Sequence, residues 1–82
     1  MEPIHIADIP KSRGEVIRVE ITEYSGKKLL NIRIWYTDKE GKLAPTKKGV
    51  ALNIEQFDDL KNALAEAENK IKALENGNWF SR

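Results

Sequence analysis

Two neighbouring segments of the chain place a large aliphatic residue at every second position. They cover residues 15–24 and residues 27–37. A period of two is typical of half-buried β-strands. Between them, Ser25-Gly26 suits a two-residue hairpin turn. We therefore predict an antiparallel β-hairpin whose register is set by this turn.

The predicted register separates two different faces of the hairpin. With Ser25-Gly26 as the turn, residues that face each other share a side of the sheet. One side is continuously apolar and needs a cover, with Ile17 opposite Ile34, Val19 opposite Ile32 and Ile21 opposite Leu30. The other side is mixed, with Val16 opposite Trp35, Arg18 opposite Arg33, Glu20 opposite Asn31, Thr22 opposite Leu29 and Tyr24 opposite Lys27.

The segments on either side of the hairpin alternate less regularly. Residues 1–12 contain two prolines, and we interpret them as an N-terminal arm, with a short edge strand as the alternative. Residues 43–53 contain Pro45, Gly49 and the pair Lys47-Lys48. Because proline belongs at an edge or bend of a sheet, this segment predicts an irregular basic loop that leads to a short strand over residues 50–52.

The last part of the chain changes to a helical period. Asn53 is predicted as the N-cap with Gln56 as its capping-box partner, and Gly77 as the stop, so the helix covers residues 54–76 and a tail follows. Because the helix is longer than the sheet, the second half of its apolar stripe has no partner within the chain. The stripe follows a heptad pattern that begins at Phe57, and we expect a homodimer interface formed by Leu60, Leu64, Ala67, Ile71 and Leu74.

Composition narrows the functional classes. The chain has 82 residues and no cysteine, which predicts one domain with a modest core and excludes disulfides and thiolate metal sites. It shows neither an export signal nor an apolar stretch of membrane length, so we expect a cytoplasmic protein, with nucleoid association as an option, and no membrane partner. With one histidine, no nucleophile beside a base and no phosphate-binding glycine loop, we expect no metal, no cofactor, no small-molecule substrate and no enzymatic activity.

The mixed face of the hairpin combines aromatic rings with cations. Arg18 and Arg33 repel each other across the hairpin unless an anion lies over them or Glu15 and Glu20 neutralise them. Rings that stack on bases beside cations that meet phosphates form a single-strand platform. One of the adjacent rings of Trp35 and Tyr36 should face solvent and the other the helix. The predicted nucleic-acid-binding residues are Arg18, Tyr24, Lys27, Arg33, Trp35, Tyr36, Lys47 and Lys48.

The segment from Ile9 to about Leu64 contains an ordered set of motifs, namely YSGK at residues 24–27, NIRIWY at 31–36 and PTKKGV at 45–50. They are followed by Leu52-Asn53 before a helix that opens with EQF. Through these motifs the segment resembles the C-terminal domain of positive cofactor four, the transcriptional coactivator p15, and especially its compact bacterial relatives. The motifs occur in the family's order, which makes the set more specific than any one cluster.

The resemblance implies an α+β fold in which a curved antiparallel sheet of three to four strands precedes one long helix. It also implies a homodimer held mainly through the helices. By position, Tyr24 resembles the family's aromatic residue at the turn, and Tyr36 falls where its stacking tryptophan lies. Lys27, Arg33 and the pair Lys47-Lys48 match its basic residues.

The function that we expect from these observations is sequence-tolerant binding of single-stranded DNA in transcription regulation, replication or repair. Two alternatives remain open. One is the binding of single-stranded RNA, because a stacking platform does not read the sugar. The other is a protein-interaction module that uses the helix and the aromatic pair Trp79-Phe80.

Overall fold

The computed structural model describes residues 2–76 and consists of one antiparallel sheet followed by one helix. The sheet order is β1-β2-β3-β4, so each strand pairs with the one before it in sequence. This confirms the predicted α+β class with four strands. The elements are β1 (Ile4–Pro10), β2 (Glu15–Tyr24), β3 (Lys27–Thr37), β4 (Leu43–Leu52) and α1 (Ile54–Glu75).

The central hairpin, β2 and β3, pairs in the predicted register. Arg18 faces Arg33, and Tyr24 faces Lys27 beside the turn. Ser25 and Gly26 have φ angles of 52° and 78°. Two consecutive positive φ values are what the tight turns that suit the strand twist require. The turn chemistry and the apolar alternation therefore agree on one pairing.

The N-terminal segment forms a full outer strand, where the sequence suggested an arm with a short edge strand as the alternative. Residues 4–10 pair with β2, so that Ile9 faces Ile17 and Asp8 faces Arg18. The register shifts between His5 and Ala7, which leaves a bulge at that point. The bulge breaks the period-two pattern, and this is why the sequence pattern looked too short for a strand.

The prediction of an irregular basic loop before residue 50 is wrong, because residues 43–52 form one continuous edge strand. Pro45 is tolerated because β4 has a neighbour on one side only. The irregularity is confined to a bulge, residues 46–48, which lies between the pairs Arg33–Gly49 and Trp35–Pro45. We refer to these three residues as the β4 bulge.

The helix begins where the sequence predicts. The backbone N–H of Gln56 donates to Asn53 Oδ1 at 2.8 Å, and the N–H of Asn53 donates to Gln56 Oε1 at 3.1 Å, which completes the capping box. The helix ends at Glu75, and the N–H of Asn76 donates to the carbonyl of Lys72. The predicted stop at Gly77 and the pair Trp79-Phe80 lie outside the described residues.

Within residues 2–76, the apolar face of the sheet is covered at one end only. The first turn of α1 packs near the hairpin turn, where Ile54 and Phe57 line an apolar pocket together with Ile21, Leu30 and Leu52. Farther along the same face, an open apolar surface is lined by Ile17, Ile32, Ile34 and Val50. In a single chain, no residue in the described part is fully buried. That part also holds no helix with the length and apolar character that crossing a membrane requires.

Candidate nucleic-acid interface

The sheet face opposite α1 gathers most of the predicted binding residues. Because side chains alternate along a strand, the register that places Ile17 and Ile34 on the helix side places their neighbours on the other side. We call this other side the platform face. From β2 and β3 it carries Arg18, Tyr24, Lys27, Arg33 and Trp35.

The structure separates the two adjacent aromatic rings. Trp35 lies on the platform face, because the guanidinium carbon of Arg18 is 4.3 Å from the centre of its ring. Such a distance allows a cation–π contact. Tyr36 has the opposite orientation in the register, where it faces Glu15 and Ala44, and it is 43% exposed near the end of β3. Both rings are therefore accessible, but from different sides of the sheet.

Arg18 forms an ion pair that the sequence did not reveal. Its Nε donates to Asp8 Oδ1 at 2.8 Å and its second terminal nitrogen donates to Asp8 Oδ2 at 2.9 Å. These hydrogen bonds from Arg18 lower the pKa of Asp8 from 3.8 to about 2, and the same carboxylate raises the pKa of Arg18. His5 Nε2 lies 3.2 Å from Asp8 Oδ1. The carboxylate that pairs directly with Arg18 is thus Asp8 from β1, which the sequence had not suggested, while the charge of Glu20, which it had suggested, also raises the pKa of Arg18.

Arg33, directly opposite Arg18, has a different kind of partner. One of its terminal nitrogens donates to the backbone carbonyl of Thr46 at 3.0 Å. A carbonyl orients the guanidinium without neutralising it. Among the described residues, no salt bridge involves Arg33 or the other predicted cations Lys27, Lys47 and Lys48. Within the described residues, no carboxylate therefore pairs with these four side chains.

The β4 bulge presents its two lysines from an ordered backbone. Thr46 Oγ1 donates to the carbonyl of Ile34 at 2.7 Å and accepts from the N–H of Lys48 at 3.1 Å. Lys47 and Lys48 are exposed beside Arg33, which bonds to the same bulge. The threonine hydroxyl therefore orders the bulge that carries both lysines and to whose backbone Arg33 bonds.

The residues predicted for a dimer interface lie along one stripe of α1. Leu64, Ile71 and Leu74 are 59%, 53% and 48% exposed, and Ala67 is exposed as well. Leu60, nearer the sheet, is half-buried. The stripe thus loses its cover toward the C-terminal end of the helix, as the length argument suggested.

Comparison with known sequences finds relatives among transcriptional coactivators. The family model for the Transcriptional Coactivator p15 (PC4) matches residues 11–63. The RNA polymerase II transcriptional coactivator KELP of Arabidopsis thaliana is 43% identical over 58 residues, which cover 71% of this chain and 34% of KELP. The coactivator KIWI of the same plant is 33% identical over 73 residues, which cover 89% of this chain and 64% of KIWI. The chain therefore spans between a third and two thirds of these relatives.

Solved structures show the same fold. A PC4 homolog from Burkholderia pseudomallei superimposes with a TM-score of 0.72 at 27% identity, covering 82% of this chain and 98% of that one. A bacteriophage T5 homolog of the coactivator PC4 superimposes with a TM-score of 0.73 at 23% identity, covering 93% and 88%. The match over residues 11–63, the identity with the plant coactivators and the shared fold show that this chain belongs to the Transcriptional Coactivator p15 (PC4) family.

Proposed function

We propose that this protein binds single-stranded DNA with little sequence preference and acts in transcription regulation, replication or repair. The observation that carries the proposal is the combination, on the platform face, of exposed or half-exposed rings with cations that have no carboxylate partner among the described residues. Tyr24 and Trp35 supply rings on this face, and Tyr36 lies near the end of β3. Arg33 and Lys27 supply charge on this face, and the exposed lysines of the β4 bulge add charge at the edge of the sheet.

The arrangement favours single strands over duplexes. Bases in a single strand can leave the stack and lie on a protein ring, whereas paired bases already stack on each other. The cations interact with phosphates, which are the same in every sequence, so they add affinity without base preference. The names of KELP and KIWI, both transcriptional coactivators, support a role in transcription.

The proposal includes a homodimer. A single chain has no fully buried residue among those described, and the stripe of α1 leaves Leu64, Ile71 and Leu74 about half exposed. The open apolar surface at Ile17 and Val50 also has no cover from the described part of the chain. A second copy that packs its helix here would remove both surfaces from water, and apolar burial is the main driving force of such association.

Titration with oligothymidine at low salt tests the binding proposal. A Trp79→Phe background leaves Trp35 as the single tryptophan, so that its fluorescence reports on the platform face. We expect the fluorescence to change and the DNA to shift in a gel. The duplex of oligothymidine with oligoadenine is the control and should bind more weakly. Oligouridine tests the RNA alternative. If no nucleic acid changes either signal, the proposal fails, and a protein-interaction module that uses the exposed helix stripe is the remaining function.

A further inference from the structure

Arg18 is held by two neighbours at once. Asp8 from β1 accepts two hydrogen bonds from the edge of its guanidinium group, at 2.8 and 2.9 Å. The guanidinium carbon also lies over the ring of Trp35 from β3, 4.3 Å from the ring centre. The Arg18 side chain is only 20% exposed, whereas the lysines of the β4 bulge are exposed. It is therefore ordered before any ligand arrives.

This arrangement leaves Arg18 poorly suited to bind a phosphate. A bidentate carboxylate occupies one of the two paired sets of N–H donors on the guanidinium and neutralises its charge. An incoming phosphate would have to displace Asp8 or use the remaining donors beside a second negative charge. Asp8 is itself held from the other side by His5 Nε2 at 3.2 Å. By contrast, Arg33 is oriented by a neutral carbonyl and keeps its charge for a ligand.

We infer that Asp8 determines which cations of the platform face contact the nucleic acid. Asp8 keeps Arg18 from binding phosphates, and Arg18 instead positions the ring of Trp35. The phosphates of a bound strand are then drawn to the β3–β4 side of the sheet, which carries Arg33, Lys47 and Lys48. This inference rests on the proposed function, since it states which cations of the platform contact the nucleic acid.

The variant Asp8→Asn tests the inference, because it removes the competing charge and keeps the shape of the side chain. Arg18 then becomes available to one additional phosphate per chain. We expect the slope of log affinity against log salt to steepen by about 0.7 for oligothymidine, which is about a fivefold gain in affinity at 0.1 M salt. Asp58→Asn is the matched control, because it changes the net charge equally on an exposed position of α1.

Two further variants attribute the gain to Arg18. In the wild-type background, Arg18→Gln should leave the salt slope unchanged, while Arg33→Gln should make it shallower. In the double variant with Asp8→Asn and Arg18→Gln, the steeper slope should disappear. Circular dichroism establishes that each variant is folded, and Arg18→Gln alone decides the question if the change at Asp8 prevents folding.

The outcomes separate the inference from the proposed function. If the wild type binds oligothymidine but Asp8→Asn behaves like Asp58→Asn, the inference is wrong and the proposed function stands. The inference is equally wrong if Arg18→Gln lowers the slope as much as Arg33→Gln does. If the wild type does not bind any nucleic acid, the proposed function fails and the inference fails with it.

Discussion

At Gly49, the backbone of β4 lies close to the backbone of β3. A Cβ atom at this position would lie 2.6 Å from the carbonyl oxygen of Ile32 and 2.7 Å from the Cα of Arg33. Both are backbone atoms that cannot move aside without shifting a strand. Glycine is therefore required here by space, directly after the β4 bulge and opposite Arg33.

We expect Gly49→Ala to lower the free energy of unfolding by about 1 to 3 kcal/mol, because the methyl group overpacks the strand pair. Urea denaturation measures the loss. Gly26→Asn is the control, since position 26 has no atom within 4 Å of an added Cβ and its positive φ is one that asparagine tolerates. A Gly49→Ala variant as stable as the wild type would show that the two strands separate easily at the bulge.

The ion pair of Asp8 predicts a pH dependence of stability. The folded chain lowers the pKa of this carboxyl to about 2, through its hydrogen bonds to Arg18, whereas the unfolded chain has the ordinary value of 3.8. The unfolded state therefore binds the proton more readily, and the stabilisation present above pH 4 is lost as the pH falls toward 2.

Urea denaturation of wild type and Asp8→Asn across this range measures the effect. At neutral pH we expect the variant to be less stable, and the difference should narrow as the pH falls from about 4 to about 2, where about half of the wild-type carboxyl is protonated. Asp58→Asn, which removes an exposed negative charge from α1, is the control for the change in net charge. A difference that is independent of pH would mean that the pair does not stabilise the fold through its charge.

Among the secondary-structure elements, the central hairpin and the helix could be predicted from the sequence because their signals are local. Ser25-Gly26 and the flanking alternation specify the register, and Asn53 with Gln56 specifies the helix start. The outer strands could not be predicted as well. Each contains a bulge, and a bulge interrupts the period on which strand prediction depends.

The bulge in β1 also explains why the sequence did not reveal the contact of Asp8 with Arg18. Asp8 meets Arg18 only because β1 pairs with β2, and only because the bulge between His5 and Ala7 shifts the register. No local pattern contains this contact. The platform residues of the hairpin, in contrast, follow directly from the turn, so their common face could be predicted.

The exposed stripe of α1 predicts how the protein assembles. Ile71→Asp places a charge in the middle of the apolar stripe, so a dimer should dissociate to monomers or unfold. Sedimentation across micromolar concentrations measures the change. Asn69→Asp is the control, because it adds the same charge on the opposite side of the helix. A wild-type protein that sediments as a monomer throughout would contradict the proposed homodimer.

For the whole molecule, rings and cations should contribute to binding in different ways. A stacked ring adds roughly 1 to 3 kcal/mol per base with little dependence on salt. A cation that meets a phosphate releases counterions and therefore changes the salt slope itself. The two kinds of contact can thus be separated by measuring affinity over a range of salt concentrations.

We expect Arg33→Ala to make the slope for oligothymidine shallower by about 0.7, or about twice that if one strand engages both copies of a dimer. At least one of Trp35→Ala and Tyr36→Ala should weaken binding while the slope stays nearly constant, and the variant that does so identifies the stacking ring. Weak binding to a duplex is the control and should respond to the arginine variant only. Aromatic variants that bind as tightly as the wild type would refute the stacking mechanism.

The two bulges also bear on the solubility of an open sheet. The sheet ends in two outer strands, β1 and β4, whose outward backbone groups could pair with strands of other molecules and start aggregation. Each outer strand carries both a proline, Pro10 or Pro45, and a bulge. Both features interrupt the regular ladder that an added strand needs. The prolines and bulges that made these strands hard to predict from the sequence therefore also hinder pairing with strands of other molecules at the sheet edges.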